Sequence, residues 1–128
     1  MRIITVLLFF FSTSLLAGND ISDDIASAVR TGNSKELSKY FTDNIELKIL
    51  DVEEIYSKAQ AELIIKEFFS KHPVKSYTVA HKSAAKNESL FAIGTLETTN
   101  GKFRIYFLLK KTADKSLIQQ FRIETENE

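Results

Sequence analysis

This 128-residue sequence has two histidines, His72 and His81, and no cysteine. The two histidines are therefore its only side chains whose ordinary pKa is near neutrality. A histidine in a pocket can act as a general acid or base. His81 lies in an alternating run typical of a strand, whereas His72 precedes Pro73, where a helix is expected to end. We assign no catalytic residue and keep His81 as the one candidate. The simpler interpretation of His81 is a half-buried histidine bonded to a neighbour.

Metal and cofactor chemistry is not indicated by the residue types. A catalytic zinc site uses three protein ligands, commonly histidines, and the sequence has only two histidines. No calcium-binding loop motif is present, and the four glycines do not form a phosphate-binding loop. We therefore expect no metal and no cofactor.

The charge balance argues against nucleic acid as a partner. Lysine and arginine number 17, and so do aspartate and glutamate, which gives a formal net charge of zero. Binding to a phosphate backbone depends on an excess of basic residues, and none exists here. The basic residues also do not cluster as a membrane-surface patch would.

The first 17 residues have the pattern of a cleavable export signal. Arg2 supplies a positive start, the stretch 3–11 is apolar except for Thr5, and Ala17 is a small residue at the expected cut. An uncleaved N-terminal anchor is the alternative, although the apolar stretch is shorter than the ~20 residues of a membrane-spanning helix. We predict a periplasmic or secreted protein with residues 18–128 as one domain, without disulfides and free of the membrane after cleavage.

Periodicity predicts three helices and a long run of strands, an α+β domain. Apolar residues recur at helical spacing within 21–29, and Asn33 and Ser57 each begin a capping pattern for a further helix. A strand with alternating burial covers 45–49, and 51–56 turns the chain toward the third helix. After Pro73 we expect four antiparallel strands. The predicted order is α-α-β-(β)-α-β-β-β-β, with the second strand optional.

The Asn100-Gly101 pair predicts the turn of a hairpin, with Thr99 opposite Lys102 and Glu97 opposite Arg104. Because opposed residues share a face, this register sorts the two strands. The face expected to meet the helices carries Leu90, Ala92, Gly94, Leu96, Phe103, Ile105, Phe107 and Leu109. The opposite face carries Phe91, Ile93, Thr95, Glu97, Arg104, Tyr106, Leu108 and Lys110.

Extending the register outward gives the candidate pocket and interface residues. His81 is expected opposite Gly94, where the glycine leaves room for a ligand, and a single bulge would invert this placement. The ligand-pocket candidates are Tyr40, Tyr77, His81 and Gln119. The outer face would expose a large apolar patch, and such patches often mark interfaces. The dimer-face candidates are Phe91, Ile93, Tyr106, Leu108 and Ile118.

The order of elements resembles the nuclear transport factor two-like superfamily, in which a curved sheet wraps a long helix into a cone. Several segments are similar to those of small exported bacterial proteins catalogued only as a domain of unknown function. These segments are 32–41, 56–62, 68–73, 92–96, 106–111 and 118–120. The resemblance implies a cone-shaped fold and pairing through the outer face. Enzymes of the superfamily place a carboxylate inside the cone, and the predicted register puts none there.

Three functions remain open at this point. We favour an exported non-enzymatic domain that binds a small apolar ligand or a partner protein, because the predicted interior is apolar. A small isomerase, lyase or hydrolase with His81 as acid or base is the second, with Tyr77 or Gln119 orienting the substrate. The third is a purely structural dimer whose cone is filled.

Overall fold

The computed structural model describes residues 21–84, 89–112 and 115–126, so the predicted export signal lies outside the described residues. The helices are α1 (Ile21–Arg30), α2 (Ser34–Ser38) and α3 (Lys58–Lys71). The strands are β1 (Phe41–Ile49), β2 (Val52–Ser57), β3 (Val74–Ala84), β4 (Leu90–Thr98), β5 (Gly101–Thr112) and β6 (Lys115–Thr125). This order confirms the predicted α+β class, and the optional strand is present as β2. None of the helices in the described part of the chain is long and apolar enough to cross a membrane.

One six-stranded sheet runs in the order β2-β1-β6-β5-β4-β3. The β1–β6 pair is parallel and the other neighbours are antiparallel. The β1–β2 hairpin turns through Leu50 and Asp51, and Leu50 has a left-handed φ of 56°. The β2 and β3 strands therefore form the two edges of the sheet.

The helices α2 and α3 begin directly after the capping residues that the sequence analysis identified. The Ser57 side chain accepts a hydrogen bond from the backbone N–H of Gln60, whose own side chain returns to Ser57, so α3 starts with a complete capping box. Asn33 accepts a bond from the N–H of Glu36 at the start of α2. These local bonds orient α3 as it leaves the edge strand β2.

The core lies between the helices and one face of the sheet, called here the inner face. All three helices contribute buried residues to it, and three phenylalanines, Phe41, Phe107 and Phe121, fill its centre. The Phe107 and Phe121 rings stack with centroids 6.5 Å apart. The predicted inner-face residues of β4 and β5 are buried, apart from Leu90, which is partly buried against the core. The other face of the sheet, called here the outer face, is not covered by any of the three helices in the described part of the chain.

The predicted register of the β4–β5 hairpin is wrong by two residues. Thr98 opposes Gly101, and the turn is formed by Thr99 and Asn100 rather than by Asn100 and Gly101. Glu97 consequently opposes Lys102, not Arg104. Because side chains alternate with a period of two, a shift of two residues leaves every side chain on the predicted face.

Two β-bulges overturn the outward extensions of the register. The β3–β4 register shifts between Val79 and His81, so His81 opposes Ile93 on the outer face, not Gly94 on the inner face. The β5–β6 register shifts at Gln119, which has no opposing residue in the ladder. Ile118 is paired with Leu109 and fully buried, which corrects its predicted place on the outer face.

Candidate functional site: the outer face of the sheet

The space above Gly94, predicted to receive a ligand, is occupied by Tyr77. The β3 residue Tyr77 opposes Leu96 on the inner face, and only 3% of its surface is exposed. A β-carbon built on Gly94 would lie 2.6 Å from the phenol oxygen of Tyr77 and 2.7 Å from the carbonyl oxygen of Thr78. Tyr77 thus faces the interior as predicted, but it fills that position as a core side chain.

The Tyr77 hydroxyl has no hydrogen-bond partner among the described residues. Burial raises the pKa of Tyr77 from its ordinary value of 10.0 to about 12, and nearby Arg30 opposes the rise. The Arg30 Nε donates a 3.4 Å hydrogen bond to the backbone carbonyl of Tyr77, not to the hydroxyl. The phenol is therefore neutral at physiological pH and unsuited to act as a base.

The other pocket candidates are not brought together with Tyr77. Tyr40 lies between α2 and β1, partly buried against the edge of the core. Its backbone carbonyl accepts a 2.6 Å hydrogen bond from the N–H of Ile118. Burial raises the pKa of the Tyr40 phenol, with Asp24 and Glu36 adding to the effect and Lys39 opposing it. Gln119 is half-buried at the bulge of β6. The four predicted pocket residues do not line one site.

Open surface depressions accompany some of these residues. Five depressions in the described part of the chain have volumes of 220 to 330 Å³, and Tyr77 and Gln119 line none of these five. Tyr40 lines two of them, one beside Asp24 and Glu36 and the other beside Lys39 and Lys115. The described residues also contain no group of three or more side chains able to hold a metal ion.

His81 belongs to the outer face, where its ring lies 5.8 Å from that of Phe91. The Phe91 ring in turn lies 6.0 Å from that of Tyr106. Leu108 opposes Phe91 and Ile93 opposes Tyr106 in the β4–β5 ladder, so all four side chains lie on the same face. All four are partly exposed. We call these four, Phe91, Ile93, Tyr106 and Leu108, the outer apolar patch. Apart from Ile118, the predicted dimer-face residues thus lie together.

The remainder of the outer face is polar, and its residues on β1, β2 and β6 are largely paired. Lys48 binds Glu124 at 3.1 Å, Arg122 lies 3.5 Å from Glu53, and the Gln120 amide donates a 2.6 Å bond to Glu46. The Arg122 guanidinium also lies 5.8 Å from the Tyr106 ring centre, a cation–π distance. A paired polar region over β2, β1 and β6 therefore borders the outer apolar patch on β4 and β5.

Two features with structural consequences were not recognised in the sequence. The β2 edge carries Val52 and Ile55 with 56% and 68% of their surfaces exposed. Val52 and Ile55 flank Glu53 and Glu54 without alternating with them, and the segment is equally compatible with a turn, so the sequence signal is ambiguous. The second feature is His72, which contacts Asn100 through a 2.7 Å bond and whose ring packs between Phe68 and Phe103.

The comparisons with known proteins agree with this architecture. Residues 22–124 match the family described as a domain of unknown function, DUF4783. A crystal structure of a family member from Bacteroides uniformis is 37% identical, with a TM-score of 0.80, and the match covers 85% of this chain and all of that one. A second member, from Bacteroides ovatus, is 40% identical with a TM-score of 0.77, over 82% of this chain and 94% of that one. No curated protein matches this chain.

More distant structures share only the fold. A cystatin-like domain of unknown function from Nostoc punctiforme has a TM-score of 0.66 at 7% identity, over 84% of this chain and 74% of that one. The mixed sheet with helices on its inner face is the nuclear transport factor two-like, or cystatin-like, fold that these structures share, as the sequence indicated. This chain belongs to the DUF4783 family of domains of unknown function, and it has that fold.

Proposed function

We propose that this protein is a non-enzymatic binding domain whose working surface is the outer face of the sheet, and that a second copy of the chain occupies it. The observation that carries the proposal is the outer apolar patch. Its four large side chains stand on the sheet face opposite α1, α2 and α3, and no helix of the described residues covers it. Burying them against a second copy would gain roughly 25 cal/mol for each Å² of apolar surface removed from water.

The bordering charges favour a second copy over a highly charged partner. Lys48 and Arg122 already have acidic partners within the chain, so part of the charge beside the patch is compensated, while Arg104 and Lys110 of β5 are exposed. A nearly neutral apolar surface is suited to contact another of its kind, and closed two-fold pairs are the commonest arrangement of identical chains. Nucleic acid has no basic surface to bind here.

An interior binding or catalytic role has less support. Tyr77 fills the space over Gly94, and His81 is exposed on the far side of the sheet from the core. An enzyme of this fold needs a pocket that brings an acid or base to its substrate. A small apolar ligand would likewise need an enclosed space, typically of about 300 Å³ or more.

The place of action is a further part of the proposal. The segment 1–17 has the pattern of an export signal, and the rest of the chain contains no cysteine. We propose that the domain leaves the cytoplasm and works in the periplasm or outside the cell. Mass spectrometry of the protein recovered from a cell envelope fraction tests this proposal. We expect the mature N-terminus at Gly18.

Sedimentation of purified residues 18–128 tests the pairing. We expect a dimer at micromolar concentration, and we expect Ile93→Lys to shift it toward monomer, because the lysine places a charge in the apolar patch. Leu63→Lys is the control, because Leu63 is 64% exposed on α3, away from this face. A wild-type monomer at high micromolar concentration, or an Ile93→Lys protein that pairs as the wild type does, would reject the proposal.

A further inference from the structure

The two edges of the sheet differ in how well they are protected. Along β3, the ladder is interrupted by register shifts, and α1 lies against the strand. The Arg30 side chain of α1 bonds the carbonyl of Tyr77, and Lys82 donates a 3.2 Å bond to the hydroxyl of Ser22. Bulges, charges and a covering helix are the means by which edge strands avoid pairing with other chains.

The β2 edge has no register shift to protect it, although Glu53 and Glu54 supply charge and α3 contacts the strand. It pairs with β1 in a register that runs without a shift from Asn44 opposite Ser57 to Ile49 opposite Val52. Val52 and Ile55 are two of the four exposed large apolar side chains in the described part of the chain, and they lie on opposite faces. A regular edge strand with exposed apolar side chains is a template for another strand.

We propose that two copies of the chain pair antiparallel through β2, which continues the sheet across a two-fold axis. Such an axis is normal to the sheet and keeps outer face beside outer face, so each residue must oppose one on its own face. Centring the pair on Glu53 or on Glu54 would place two like charges opposite each other, which is unfavourable. Centring it on Ile55 avoids both clashes.

The Ile55-centred register is chemically consistent along the whole edge. Ile55 opposes its own copy, Glu54 opposes Tyr56, and Glu53 opposes Ser57. On the outer face the neighbour of Ile55 in β1 is Glu46, whose carboxylate is held by a hydrogen bond from Gln120, so it is oriented within its own chain rather than toward the two isoleucines. A ladder this short buries less than the roughly 800 Å² per partner of a standard interface, so the contact is a weak and reversible one.

This edge contact uses a different surface from the outer apolar patch, and its test does not depend on that patch. In the proposed register the two Ile55 Cα atoms lie about 4.5–5.5 Å apart, within the range of about 4.4–6.8 Å that a disulfide spans. Because the chain has no cysteine, Ile55→Cys introduces a single thiol. Leu63→Cys is the matched control, with nearly the same exposure, 64% against 68%.

Under mild oxidation with glutathione disulfide, we expect Ile55→Cys to form a covalent dimer about tenfold faster than Leu63→Cys, because the pair holds the two thiols together. The same comparison in an Ile93→Lys background separates this contact from the outer-face pairing. Equal rates for the two thiols would overturn the proposal and leave an extended strand of a different protein as the occupant of this edge.

A second variant gives a readout without a thiol. Ile55→Glu places two carboxylates opposite each other on the two-fold axis, and it changes an exposed side chain, so the fold should be retained. In the Ile93→Lys background we expect Ile55→Glu to remove the residual association seen by sedimentation at high concentration, whereas Leu63→Glu should not. No difference between these two variants, with unchanged melting temperatures, would also overturn the edge contact.

Discussion

Tyr77 and Gly94 form a complementary pair across strands β3 and β4. The phenol ring lies over the glycine so closely that a methyl group there would overlap the Cε1 and hydroxyl atoms, each 2.6 Å away. The backbone carbonyl of Thr78, at 2.7 Å, blocks the remaining space. Gly94 is therefore required by packing, and the interior position that resembled a ligand site is part of the core.

This contact predicts that Gly94→Ala destabilises the protein. We expect the free energy of unfolding to fall by about 1–3 kcal/mol, the usual cost of overpacking a core. Tyr77→Phe in the same chain should recover only part of the loss, because the Cε1 and Thr78 contacts remain. Urea denaturation of the four proteins of the double-mutant cycle measures both effects. A fully stable Gly94→Ala protein would mean that open space exists above this glycine.

Tyr77→Phe alone should leave stability unchanged or raise it by about 1 kcal/mol. The hydroxyl is buried and has no hydrogen-bond partner among the described residues, and an unpaired buried polar group opposes folding. Thermal unfolding at neutral pH measures the change. A loss of stability on removing this hydroxyl would show that it makes a favourable bond in the folded protein.

Tyr77 also makes the stability of the protein depend on pH in the alkaline range. Burial holds the pKa of Tyr77 at about 12, against 10.0 when exposed, so the folded state favours the neutral phenol. The contribution of the buried, neutral Tyr77 side chain to the free energy of unfolding is fully present below about pH 10, and it is lost as the pH rises from 10 through 12. Wild-type protein should therefore lose up to about 2–3 kcal/mol more than Tyr77→Phe across this window. Unfolding curves for the two proteins at about pH 9 and pH 11 test it, and parallel losses would contradict it.

Asn100 ties the β4–β5 hairpin to the end of α3. Its amide donates a 3.0 Å bond to the carbonyl of Lys71, and its oxygen accepts a 2.7 Å bond from the Nδ1–H of His72. We expect Asn100→Ala to cost about 1–2 kcal/mol of stability, because it removes these two exposed bonds and the 3.1 Å bond that the Asn100 oxygen accepts from the Thr98 hydroxyl. Thr99→Ala, in the same turn, is the control and should be close to neutral. Equal losses in the two variants would assign the effect to the turn itself.

The Asn100 contact also explains why the hairpin was predicted two residues out of register. Asn-Gly is the strongest local signal for a two-residue turn. Here Asn100 is instead held by α3, and Gly101, with a φ of 149°, begins the strand. A tertiary contact outweighed the local preference. The face predicted for each side chain is nevertheless correct, because the register differs by an even number of residues.

The two bulges mark the limit of what alternation can predict. Val79 and His81 fit an unbroken alternation across Ala80, and the adjacent apolar residues Leu117 and Ile118 before Gln119 fit either face, so the pattern does not locate the extra residue. Each bulge inverts the strand beyond it, which moved His81 to the outer face and Ile118 into the core. The core and the fold could be predicted because many residues contribute to them, whereas a site made of a few residues depends on each register.

The bulge at Gln119 can itself be tested by truncating its neighbours. Ile118 is fully buried and opposes Leu109, while Leu117 is only partly buried and opposes Lys110. We expect Ile118→Ala to lower the free energy of unfolding by about 2–5 kcal/mol, the range for deleting a buried aliphatic side chain. Leu117→Ala should cost much less, because a partly exposed side chain leaves a smaller cavity. Without the bulge, Leu117 would face the helices and the order of the two losses would reverse. Chemical denaturation of both variants under one set of conditions therefore decides which register β6 adopts.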